Sequence, residues 1–342
     1  MRAMSPKRRF LAAFFGGPVD RTPVANPVSS VTCELMEETG AHFPEAHLDA
    51  RAMATLAAGV HTILGHDAVM PVFSVVQESA GLGCEIDWGA FDTMPTVRSH
   101  PFAGGATPAI PAGYLEHPAC QTVLEAIRIL RQELGERVAI IGKVFGPWTL
   151  SYNTVGLEEF LIDTITNPGL VRRRLHALKE VTVEFGIAQL RAGADVLCIA
   201  DHTTGSLVRA EMYRDYLLEI HQEINARIGG PTVLHCCGPT LDRMDYFAQA
   251  GFDSYHFESA NDAVKAKEIV AGRMTLIGNV NNPDTLLRGT PADVARECRY
   301  ALEAGVDIIG PECAVPLRTP NRNLKAIVET VTAAARGEKL PE

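Results

Sequence analysis

One junction recurs in the second half of this chain and limits what it can fold into. It reads Ala192-Gly193-Ala194-Asp195, then Ala250-Gly251-Phe252-Asp253, then Ala304-Gly305-Val306-Asp307, each time followed by a short apolar run. Glycine there supplies the left-handed residue that ends a helix, and the run after it has the length of a buried strand. Each junction is therefore read as a helix-to-strand turn. Strands regained through a helix lie parallel, and parallel sheets are covered on both faces. Apolar runs at 67–73, 138–144, 231–236 and 274–277 bring the count to about seven, and 22–25 supplies a candidate eighth. Eight strand-helix units close most simply as a (β/α)₈ barrel. No Gly-x-Gly-x-x-Gly follows an early strand, which argues against an open dinucleotide-binding sheet. The expected fold class is α/β, a single TIM barrel with extra N-terminal helices.

Helices are expected over 169–191, opened by Asn167-Pro168, over 210–227, over 292–304 behind Thr290-Pro291, and over 321–335. Residues 33–63 read as further helices ahead of the barrel, and 74–120 as a long irregular insertion. The basic start of the chain mimics a signal peptide, but its apolar stretch, Phe10 to Phe15, is short and Asp20-Arg21 follows closely. It is read as a first amphipathic helix. No linker or low-complexity segment divides the 342 residues. The expected organisation is one domain over 1–342, with a helical extension at 1–65 and the main barrel at 66–342.

Composition narrows the partners. No apolar run approaches the ~18 residues of a membrane span, and 41 acidic against 31 basic residues give a net charge of −10. That balance lacks the basic footprint of a nucleic-acid binder. The eight cysteines form no CxxC pair in a chain too long for a small disulfide scaffold, so reduced thiols and a cytoplasmic location are expected.

In a barrel, reactive side chains gather at the C-terminal ends of strands. Those ends are polar here: Asp201-His202, His235-Cys236-Cys237, His256 and Glu258, Asn279, and Glu312-Cys313. Alternation along a strand sends His235 and Cys237 to one side and Cys236 to the other. Cys313, from another strand end, would complete a Cys₂His set with one open position, the pattern of a catalytic zinc. An open position on zinc holds a thiol as thiolate. Taken alone, such a pattern is more often core packing, and Cys33, Cys84, Cys120, Cys198 and Cys298 are assigned to the core. Asp201 is the candidate catalytic carboxylate; it and Glu258 are read either as orienting His235 or a substrate, or as helix caps. His202, His221 and His256 are read as structural.

Several stretches together resemble the uroporphyrinogen decarboxylase superfamily: Asp20-Arg21-Thr22-Pro23-Val24, Gly146-Pro147-Trp148-Thr149-Leu150, Leu234-His235-Cys236-Cys237-Gly238, Gly278-Asn279-Val280 with 284–290, and Gly310-Pro311-Glu312-Cys313 with Pro320. The resemblance spans nearly the whole chain and is strongest to its methylcobalamin:coenzyme M methyltransferase branch. It implies a (β/α)₈ barrel, a zinc ion on His235, Cys237 and Cys313, and methyl transfer from a methylcobalamin-type corrinoid to a thiol. Two departures bear on it. The arginine-bearing stretch with which the decarboxylases bind substrate carboxylates is replaced by Pro27 to Cys33, and Asp201-His202-Thr203-Thr204-Gly205 is not the Asp-x-His-x-x-Gly of a corrinoid-binding module. The corrinoid is therefore expected on a separate protein, and a homodimer is compatible with the resemblance.

Three readings follow: a zinc-dependent corrinoid methyltransferase acting on a small acceptor such as coenzyme M, a tetrapyrrole decarboxylase, and a non-catalytic corrinoid or tetrapyrrole binder. Tetrahydrofolate as acceptor, or a primary methyl donor, stays open within the first. Arg21, Arg318 and Lys143 are candidates by location for an anionic group on the acceptor, each weighed against ordinary solvated charge.

Overall fold

A computed structural model describes residues 3–338. Seven parallel strands run in sequence order around a curled sheet: β1 (Ala68–Val69), β2 (Ala139–Phe145), β3 (Val196–Ala200), β4 (Thr232–His235), β5 (Ser254–His256), β6 (Thr275–Val280) and β7 (Ile308–Pro311). Residues 23–25 close the ring. Val24 pairs in parallel with Ile309 of β7, and the Asp67 N–H donates to Val24 O at 2.7 Å on the β1 side. The run at 22–25 thus stands as the eighth stave, although it lies within the first 65 residues. A Cβ on Gly310 would sit 2.0 Å from Ala25 O, so only glycine lets β7 approach that stave.

The expected helices form with boundaries shifted by a residue or so: Pro168–Ala192, Pro291–Glu303 and Asn321–Ala335. The 210–227 stretch is two helices, Ala210–Tyr216 and Leu218–Ile228, that meet at Leu217. The extension contributes Pro6–Phe14, Cys33–Thr39 and Ala50–Thr62. The 74–120 insertion has more order than its sequence suggests. It holds a short helix, Gln77–Gly81, and an antiparallel ribbon that pairs Ile86–Asp87 with Thr96–Val97. A further helix, Pro118–Glu133, then leads into β2.

The repeated junction explains the lower rim of the barrel. Gly193, Gly251 and Gly305 take positive φ, as expected, and the aspartate that follows each one has a task of its own. Asp195 Oδ2 accepts the Ile140 N–H at 2.9 Å, Asp253 Oδ2 the Thr232 N–H at 2.8 Å, and Asp307 Oδ2 the Leu276 N–H at 2.8 Å. Asp67, after Leu64-Gly65-His66, takes the Val24 N–H at 2.8 Å in the same way. The aspartates before β1, β3, β5 and β7 therefore each latch the stave before them. A charge-assisted bond to an otherwise orphaned strand-end N–H fixes the register of each pair.

Candidate active site

At the opposite end of the barrel, the staves deliver three soft donors to one point. β4 ends at His235, with Cys237 two residues later; β7 ends at Pro311, with Cys313 two residues later. His235 Nε2 lies 3.1 Å from Cys237 Sγ and 3.5 Å from Cys313 Sγ, and the two sulfurs are 3.3 Å apart. Cys236 turns away as alternation requires, is buried, and has its thiol directed toward Thr203 Oγ1.

The neighbours of these residues hold them in place. Gly238, at φ +77°, turns the chain after Cys237, and its carbonyl accepts from Asn261 Nδ2 at 3.0 Å. Asn26, just after the eighth stave, donates to Cys313 O at 3.0 Å. Glu312 accepts the backbone N–H groups of Ser259 at 2.8 Å and Asn282 at 2.7 Å, which ties the Cys313 loop to the loops after β5 and β6. His256 packs its ring 4.6 Å from that of His235 and donates to Pro311 O at 2.8 Å.

Burial, then the neighbouring His256, pushes the His235 pKa well below its usual value, so its imidazole is neutral with a free lone pair. The hydrogen bond to Cys313, reinforced by burial, drives the Cys237 thiol well above the ordinary thiol range. Two adjacent thiolates repel, so ionising this pair calls for a cation between them. The Glu258 carboxyl lies against Cys237 and the Gly238 N–H, with its pKa raised by burial.

His235, Cys237 and Cys313 line a cavity of about 420 Å³ whose walls are largely apolar, including Val28, Phe73, Met94 and Phe145. Asp201 lines the same cavity, and its oxygens are taken by the Thr149 N–H at 2.7 Å, the Thr149 hydroxyl at 3.1 Å and His221 Nε2 at 3.0 Å. It caps the helix Pro147–Val155 and makes no bond to His235. Of the two roles expected for Asp201, this geometry is that of the cap. His221 bridges Asp201 and Tyr213, and His256 is likewise structural, whereas His202 lines the cavity.

The three cations named from sequence part company. Arg21 is at the lower rim with Asp67, Arg318 is exposed and paired with Asp92, and only Lys143 lines the cavity. Lys143 carried a readable signal, a single charge in the run Ala139-Ile-Ile-Gly-Lys-Val-Phe145. Two residues escaped the sequence reading. Asn26 carries no motif. Glu78, fully buried beside β2 with Oε1 accepting the Phe145 N–H at 2.9 Å, lies in the stretch taken as irregular.

An eight-staved barrel with chemistry at its C-terminal mouth defines the class, and the comparisons give the family: residues 5–334 match the uroporphyrinogen decarboxylase (URO-D) model, and the chain belongs to that family. Among its relatives, a methylcobamide:CoM methyltransferase of Methanosarcina barkeri is 34% identical over 99% of both chains. A methylated-thiol:coenzyme M methyltransferase of Methanosarcina mazei is 33% identical over 95% of this chain and 88% of that one. A solved methyltransferase from Methanosarcina mazei superposes with a TM-score of 0.93 at 34% identity, covering 97% of this chain and 99% of the other.

Proposed function

We propose that this protein is a zinc-dependent methyltransferase that moves a methyl group between a methylated corrinoid, carried by a separate protein, and a small thiol such as coenzyme M. The observation that carries the reading is the meeting of His235 Nε2, Cys237 Sγ and Cys313 Sγ, all within 4.8 Å of one another, in the lining of a largely apolar cavity. The names of the relatives support the reaction class.

The donor set fits zinc. A tetrahedral ion with bonds of about 2.0–2.3 Å separates its ligand atoms by roughly 3.5 Å, close to the 3.1, 3.3 and 3.5 Å seen here. Zinc held by these three residues would bind a thiol at its remaining position and keep it as a thiolate at neutral pH. The protein's own groups do the rest. His235 offers a neutral nitrogen because burial keeps it unprotonated, and Cys237 and Cys313 give up their protons when the cation enters. Glu258, against Cys237, is placed to take one of those protons. The apolar walls exclude water, leaving the acceptor sulfur poorly solvated and more reactive. That sulfur forms a bond to the methyl carbon as the cobalt–carbon bond of the corrinoid substrate breaks, and the electron pair stays on cobalt. A tetrapyrrole with several carboxylates would need several cations, whereas Lys143 is the one Lys or Arg among the lining residues.

We place the protein in the cytoplasm, with a homodimer as the assembly to be checked by sedimentation. The eight cysteines are free, and no helix among the described residues is long and apolar enough to cross a membrane. The deciding experiment is metal analysis joined to an assay of methylcobalamin with coenzyme M, followed by the absorbance of cob(I)alamin. About one zinc per chain and thiol-dependent cob(I)alamin are expected. An active, metal-free protein would overturn the reading.

A further inference from the structure

β5 contributes no donor to the candidate metal centre, yet it and the loop after it touch both strands that do. The strand ends at His256, whose ring packs 4.6 Å from that of His235 and whose Nε2 donates to Pro311 O at 2.8 Å. The segment 258–261 continues the pattern. Ser259 donates its N–H at 2.8 Å and its hydroxyl at 2.5 Å to Glu312 Oε2, one residue before Cys313. Asn261, 1% exposed, grips the chain just after Cys237: Nδ2 donates to Gly238 O at 3.0 Å, and Oδ1 accepts the Thr240 N–H at 2.7 Å and the Leu241 N–H at 3.1 Å. A bond from Asn261 Nδ2 to Glu258 O at 3.1 Å ties the segment to itself.

Cys237 and Cys313 each lie two residues beyond a strand end, outside the ladder that fixes the staves. Sheet register therefore does not set their 3.3 Å spacing. Two thiols this close repel once ionised, so loops free to part would lose the arrangement. Glu312 is buried, and its other oxygen accepts the Asn282 N–H at 2.7 Å, so the carboxylate is held from two sides.

We propose that the segment 258–261 is a splint spanning the two cysteine loops, with Glu312 and Asn261 as positioning residues whose joint task is to hold Cys237 and Cys313 at the spacing a metal ion needs. The metal half of this assignment rests on the zinc reading; the splint stands on the hydrogen bonds alone. A splint gripped at both ends fails when either grip is released, so the two residues act as one although they do not bond to each other.

Two measurements test it separately. In the first, chelator competition on the purified protein should show zinc bound roughly 10- to 100-fold more weakly by Glu312→Gln and by Asn261→Ala, the range for residues that orient metal ligands. Independent braces would multiply to about 10²- to 10⁴-fold in the double variant, whereas one splint keeps the double within a few-fold of the weaker-binding single. Cobalt(II) in place of zinc adds a signature that a general loss of stability does not move, since the visible bands of a tetrahedral site should shift or fade in both variants. In the second, phenylarsine oxide, which bridges two thiols held close together, is added to the metal-free protein. Bridging of Cys237 to Cys313 is expected to be roughly tenfold faster in the wild type than in either variant, with Cys313→Ala as the control that identifies the pair. Should Asn261→Ala fail to fold, Asn261→Asp, which keeps an acceptor for the Thr240 N–H and loses the bond to Gly238 O, takes its place. Equal bridging rates in wild type and variants, unchanged zinc affinity in both singles, or a double variant whose loss is the product of the singles overturns the proposal. Slower bridging in the variants of a protein that binds no zinc would leave the splint standing and remove the metal reading instead.

Discussion

At the lower rim of the barrel, Asp67 accepts from Val24 and pairs with Arg9 and Arg21, while Asp195 accepts from Ile140 and pairs with Lys7 and Arg131. At the upper rim, Lys143 has no ion pair among the described residues, His235 Nδ1 is buried without a hydrogen bond, and two thiols face each other at 3.3 Å. Both ends carry polar groups set into the barrel wall. Asp67 and Asp195 are matched by partners within the chain, whereas Lys143, His235 Nδ1 and the two thiols are short of them. A polar group buried without a partner costs stability, so such groups persist where something from outside completes them. The difference separates residues that hold the barrel shut from residues that wait for a ligand.

Four substitutions can break or sharpen that contrast. Cys313→Ala should reduce methyl transfer on the order of 10³-fold or more and empty the zinc site, with little change in the melting of the metal-free protein. Metal content, kinetics and melting measured together check this, and a large loss of metal-free stability would mean that Cys313 belongs to the structural end. Asp67→Ala should do the reverse. It leaves the Val24 N–H without its acceptor, Arg21 without its counter-ion and Arg9 with Asp20 alone, at a cost of about 3–5 kcal/mol, while zinc content and KM hold; denaturant unfolding measures the cost.

Glu78 lies between the two patterns, with one oxygen bonded and the other without a partner. Burial raises its pKa from 4.5 to about 7, so the folded chain keeps the proton across a pH window in which the unfolded chain releases it. Stability attributable to this group is greatest below about pH 4.5 and declines as pH rises to about 7. The decline should be on the order of 2–3 kcal/mol and should be absent in Glu78→Gln, as melting curves across that window would record. Asp201→Asn is expected to have the smallest effect, about 1–2 kcal/mol of stability and less than tenfold in kcat, as a cap residue would. A thousandfold drop in kcat with unchanged melting would return Asp201 to the catalytic group.

Much of this was readable from residue order. The Ala-Gly-x-Asp junctions located three helix-to-strand turns, and His235, Cys237 and Cys313 stood out because soft donors fell at strand ends. The fourth latch was hidden because Leu64-Gly65-His66-Asp67 departs from the motif, and nothing local reveals that an aspartate serves the stave before it. Glu78 was passed over because a short helix inside a loop-rich stretch has too few residues to show a period. Asp201 was left between two roles, because the Thr149 N–H and His221 that claim its oxygens are 52 and 20 residues away.

The sequence by itself determined the strand-helix rhythm, the parallel order and the chemical types gathered at each strand end, because these follow from local propensity and from alternation along a strand. Only the tertiary structure decided which charges would be answered. Closing the ring through residues 23–25 set Asp67, Arg9 and Arg21 against one another at one end and left Lys143 facing two thiols at the other. Pairing depends on distances across the barrel, between residues separated by many positions in the chain, and no local pattern encodes them.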